Sequence, residues 1–164
     1  MRKERRAGLI LAAAVIAIAG ACGGGGEKAA ADSAAAALAA PAALFDRLGG
    51  RGAIVSVVDT FVANVAGDAR INKRFARVAG DAAALSQFKG KLVDQICQAT
   101  GGPCTYTGLD MKTAHQGMNL TDGDFDALVE DLVKSLDAHK VPQAEKDELL
   151  GMLGPMRADI VTKK

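Results

Sequence analysis

Ile54, Val57, Val58, Phe61, Val62 and Val65 stand at i, i+3, i+4, i+7, i+8 and i+11, the spacing that puts side chains on one face of an α-helix. Six large apolar groups in one stripe need a second apolar surface to lie against. The chain repeats the pattern three more times. Leu85, Phe88, Leu92 and Ile96 form a second stripe, and Phe125, Leu128, Val129, Leu132, Val133 and Leu136 a third. Leu149, Leu153, Met156 and Ile160 form the fourth. No segment alternates as a half-buried strand does. Alanine is abundant and β-branched runs are short, which favours helix over sheet. The expected fold class is all-α, with the folded part running from Leu44 to the end.

Punctuation divides that part into about five substantial pieces. The first stripe predicts a helix over 51–66, ending near Gly67. Asp68 is placed to cap a short helix reaching Phe75, and Asp81 to cap the long second-stripe helix. Gly101-Gly102-Pro103 stops that helix. Asp110 is placed to cap a short piece in which Met111 and His115 share one face, and Gly117 ends it. Thr121 with Asp124 forms a capping-box-like start. Pro142 suits the first turn of the last helix, and Pro155 inside its stripe predicts a kink or break.

The first residues read as targeting rather than fold. A basic head, Met1 to Arg6, precedes an apolar run from Ala7 to Ala21 that is short for a membrane span. Ala19 and Ala21 suit signal cleavage, and Cys22 directly follows them. That arrangement resembles a bacterial lipobox, with Ala19 where leucine is usual. It implies an exported protein of the cell envelope, or periplasm, lipid-anchored at Cys22. Ordinary cleavage after Ala21 is the alternative. Residues 22–43, rich in Gly and Ala, read as a tether. In an oxidising compartment Cys97 and Cys104 are an even pair, for which a disulfide is open. The net charge of +1 and the 4% aromatic content, without tryptophan, give no footprint for nucleic acid.

The chain has no P-loop, no G-x-S-x-G and no H-E-x-x-H. His115 and His139 are its two histidines. His139 follows a helix end, where a protonated imidazole complements the helix dipole, and reads as a surface cap. His115 sits on a short helix between loops, beside Met111. A haem iron can be held by a single histidine, with apolar side chains covering the porphyrin. Phe61, Phe75, Phe88, Leu92, Tyr106 and Met111 could supply those contacts, or could simply fill a helical core.

From Leu44 onward the chain resembles the group I truncated haemoglobins. The resemblance rests on Gly49-Gly50 after a short first helix, the Phe75 region, Gly101-Gly102-Pro103, and Tyr106-Thr107-Gly108 with Asp110-Met111-Lys112 and His115. The ending Pro155-Met156-Arg157-Ala158-Asp159-Ile160-Val161 also matches. It implies a two-over-two helical sandwich around haem b. It places the proximal iron ligand at His115 and haem contacts at Phe75, Phe88, Leu92, Tyr106 and Met111. It implies O2, NO or CO as ligands, with a separate reductase if the chemistry is NO removal.

On the distal side the chain departs from the family. The family's ligand-stabilising tyrosine corresponds to Val62, and its glutamine positions to Phe88 and Leu92. Helical spacing turns Gln87 and Gln95 off the 88/92 face. A diatomic ligand carrying partial negative charge would find no donor there, so weak preference for O2 over CO is expected. The rival expectation is a haem-free helical lipoprotein whose apolar faces are core and which serves as an interaction module.

Overall fold

The computed structural model describes residues 42–163. Its helices are α1 (Leu44–Arg47), α2 (Gly50–Gly67), α3 (Asn72–Ala79), α4 (Ala82–Ala99), α5 (Met111–His115), α6 (Asp122–Ala138), α7 (Gln143–Leu153) and α8 (Arg157–Ile160). A single 3-10 turn, Gly154–Met156, separates the last two. The expected signal segment, tether and Cys22 lie outside the described residues.

The first stripe explains the arrangement, because α2 buries two faces at once. Ile54 and Val58 meet Val93 and Cys97 of α4. Val57, Phe61 and Val65 meet Ala127, Leu132 and Leu136 of α6, with Leu149 of α7 and Ile71 beside them. The result is two layers of helices, α2 with α4 and α6 with α7, in which α2 is the common element. Val58 and Leu136 are each 1% exposed. Burial of one such side chain contributes roughly 1.5–3 kcal/mol, so these contacts outweigh any single surface ion pair.

A polar link sets the register of α2 on α6. The Asn64 amide donates to Ser135 Oγ (3.0 Å) and to the Asp131 carbonyl (3.3 Å). Ser135 is fully buried, and its hydroxyl donates to the same carbonyl. Asp131 is also buried and is paired with Lys134 at 2.8 Å.

Three boundaries differ from expectation. Asp68 caps no helix: α3 begins at Asn72, with Ile71 as an N-cap that makes no side-chain bond. The Asp68 carboxylate instead receives the backbone N–H and the guanidinium of Arg70. Those bonds hold its carboxyl at about 2, the side-chain bond from Arg70 being the largest influence. A local turn has taken the oxygens a cap would use. α3 also continues past Phe75 to Ala79. Pro142 is the extended N-cap of α7 rather than a residue of its first turn.

The other stops follow the sequence. Asp81 accepts from the N–H groups of Ala83 and Ala84, and Thr121 with Asp124 forms a complete capping box. At Pro155 the last stripe breaks into α7 and α8. His139 is the C-cap of α6, and its Nε2 lies 2.8 Å from Thr60 Oγ1 on α2.

Candidate functional site

His115 is the last residue of α5, a helix too short to persist unsupported. Asp110 supports its start by accepting the Thr113 N–H at 2.9 Å. Bonds from Thr113 draw the Asp110 carboxyl below its ordinary value. Within the helix, His115 Nδ1 lies 2.7 Å from the Met111 carbonyl oxygen. A carbonyl only accepts, so Nδ1 carries a proton, and in the neutral ring Nε2 keeps its lone pair. The half-buried ring is thereby fixed in tautomer and plane with one nitrogen free to bind a metal. Among the described residues no three His, Cys, Asp or Glu side chains gather as a metal site.

The loop from α4 to α5 is built as firmly as a helix end. Gly102 N–H donates to the Cys97 carbonyl at 2.7 Å. A Cβ on Gly102 would stand 2.4 Å from the Phe45 ring and 2.7 Å from Cys97 Sγ, so only glycine fits. Cys97 is disulfide-bonded to Cys104, with Cα atoms 5.7 Å apart. Tyr106 N–H donates to Gln98 Oε1 at 2.6 Å, and its hydroxyl donates to the Leu109 carbonyl at 2.9 Å. The tyrosine ring lies over Gly108, where a Cβ would come within 2.1 Å of the hydroxyl. Tyr106 thus braces the approach to His115.

Between α2, α3 and α4, Val62, Phe75 and Phe88 line one apolar cavity of about 80 Å3 with Phe61, Leu85 and Asn72. The Phe75 and Phe88 rings are 5.9 Å apart and tilted by 58°. Leu92 packs beside Val62 against both parts of the core. The structure therefore gathers Val62, Phe75 and Phe88 around that space. Leu92, Tyr106, Met111 and His115 stand outside its wall, on α4, the loop and α5.

Two residues join the site that the sequence reading set aside or missed. Gln95 donates its amide to Met111 Sδ at 3.4 Å, tying α4 to the His115 helix. Its position could have been found: residue 95 is seven beyond Phe88 and three beyond Leu92, which is the same helix face, so the expectation that spacing turns it away was wrong. Asn72 is the one polar side chain lining the cavity. No pattern marked it, because it faces the cavity only once α3 begins at residue 72.

The site thus offers an imidazole with one nitrogen free on a braced short helix, and a separate apolar cavity between α2, α3 and α4. The bacterial-like globin model matches residues 43–162, and the chain belongs to that family. A group 1 truncated hemoglobin of Mycolicibacterium paratuberculosis is 35% identical over 124 residues, covering 76% of this chain and 88% of that protein. One from Tetrahymena pyriformis is 31% identical over 123 residues, covering 75% and 98%. The crystal structure of the Tetrahymena pyriformis protein in its Fe(III) form superposes with a TM-score of 0.67 at 30% identity, covering 74% of this chain and 100% of that one. The 2/2 hemoglobin of Synechococcus, solved in the cyanomet state with covalently attached heme, gives 0.66 at 33% identity, covering 73% and 98%. The two-layer fold is that of a truncated hemoglobin.

Proposed function

We propose that this chain binds haem b through His115 Nε2 and reversibly holds a small diatomic ligand, O2, NO or CO, on the Val62 side. The observation that carries the reading is the Nδ1 contact to the Met111 carbonyl, which frees Nε2 and fixes the ring. The residues present suit the group: one ligating nitrogen, apolar Phe75, Phe88 and Leu92 for the porphyrin, and Tyr106 and Met111 at the proximal edge. When bound, haem would supply an iron able to take up a diatomic ligand.

The chain's own contribution is to orient and to exclude water. Asp110 and Gln95 hold α5, and α5 holds the imidazole. Phe75 and Phe88 give the cavity an apolar wall. Val62, Phe88 and Leu92 carry no N–H or O–H in their side chains, which leaves the Asn72 amide as the one side-chain donor in the cavity wall. Without a hydroxyl at residue 62, preference for O2 over CO is weaker than in a site that has one there.

The test is titration of the purified chain with haemin, followed by reduction and equilibration with O2 or CO. The reading expects a Soret band at one haem per chain, shifting with each gas. Folded protein that stays colourless would point to a haem-free helical interaction module. The Ala19-Gly20-Ala21-Cys22 pattern further supports export and lipid anchoring. Labelled palmitate should enter the expressed chain and fail to enter Cys22→Ser; equal labelling of the two contradicts the anchor.

A further inference from the structure

The His115 helix rests chiefly on α8, the short C-terminal helix that follows the Pro155 break. What fixes α8 therefore bears on the imidazole. Its first residue, Arg157, reaches across to α6 and forks between Asp122 (2.8 Å) and Asp126. The same guanidinium lies 4.4 Å above the centre of the Phe125 ring, which is buried beneath it. Beyond α8, the N–H groups of Thr162 and Lys163 both donate at 3.0 Å to the carbonyl of Leu120, in the linker between α5 and α6. The tail is thus bonded at one end to the start of α6 and at the other to Leu120 in the linker after α5, with α5 seated on the helix between.

We infer that Arg157 is a positioning residue for His115: with the Leu120 links it clamps α8 against α5 and so sets the height and tilt of the imidazole over a bound haem. This rests on the haem-binding reading. The exposed ion pairs alone would contribute little. Their fork geometry and the stacked, water-shielded Phe125 make the placement specific. Arg157→Lys keeps the charge and cannot span both carboxylates.

The experiment compares haem-loaded full-length wild type, Arg157→Gln, Arg157→Lys and a chain ending at Val161. Lys146→Gln serves as control, breaking the Lys146–Asp137 pair between α7 and α6. Two quantities are read: the iron–histidine stretching band of the ferrous protein by resonance Raman, and the rate of haem transfer to an excess of apomyoglobin. The clamp predicts a shifted or broadened band, and haem loss faster by about three- to tenfold, in Arg157→Gln. Arg157→Lys should fall between it and wild type, and Lys146→Gln should match wild type in both readouts. If Arg157→Gln fails to fold, the chain ending at Val161, which removes the Leu120 links, carries the comparison and should show the same band change. An unchanged band and rate in the altered chains overturns the clamp, as does an equal change in Lys146→Gln. Wild type that takes up no haem overturns the underlying reading as well.

Discussion

Val62 carries more of the functional argument than its size suggests. It stands on the face of α2 that lines the apolar cavity with Phe75 and Phe88, where a hydroxyl would be within the same enclosure. A hydrogen bond to a charged acceptor contributes about 1.5–3 kcal/mol, which corresponds to roughly one to two decades in an equilibrium constant. Val62→Tyr should therefore slow O2 dissociation from the ferrous protein by about that factor, with a smaller effect on CO. Stopped-flow displacement of O2 by CO measures it; equal rates in both proteins would mean that Val62 does not face the ligand. On the other side, His115 and Met111 are coupled by helix geometry, since the i, i+4 spacing brings the imidazole to the Met111 carbonyl. The nitrogen that remains free is thus decided by backbone, not by a neighbouring acid.

Short elements depend on their ends, and α5 shows this most clearly. Bonds from Thr113 lower the Asp110 carboxyl from its ordinary value of 3.8. At the start of α6, burial works against the Asp124 carboxylate, but the Thr121 N–H, the Thr121 hydroxyl and Arg74 together outweigh it, and its value is also lowered from 3.8. A carboxyl with a depressed folded value adds stability that is whole above the ordinary value and is lost as pH falls through the folded one. Acid should therefore loosen both elements flanking His115 below about pH 4. Asp110→Asn with Asp124→Asn should be less stable at neutral pH and should lose less stability than wild type on acidification. Helicity against pH and denaturant checks this, and parallel pH profiles would contradict it. These caps were legible in the sequence because Asp81, Asp110 and Thr121 act on residues two or three positions away. Asp68 was not, since the same local chemistry serves a cap or a turn and Arg70 decided between them. Asn72 was hidden for the same reason, its facing being fixed by where α3 begins.

The described residues form a two-layer helical sandwich, and the helix at its centre, α2, was evident as a helix from its stripe. Which stripes pair was not, because Phe125, Leu132 and Leu136 would suit any apolar partner until Asn64 and Ser135 set the register. The Cys97–Cys104 bond links the buried end of α4, at Cys97, to the loop that leads to His115, closing a separation of seven residues. Closing so short a loop stabilises by about 2 kcal/mol through the unfolded chain. Reduction should lower stability by that amount in guanidinium titrations with and without a dithiol, whereas coincident curves would show that the bond adds nothing. All these features converge on the imidazole of α5. The most direct measurement is the visible spectrum of the ferrous, haem-treated chain beside His115→Gly, with and without added imidazole. Wild type should show a Soret band that weakens or shifts in His115→Gly and is restored by imidazole. A His115→Gly spectrum identical to wild type, indifferent to imidazole, would contradict the assignment of His115 as the residue that holds the iron.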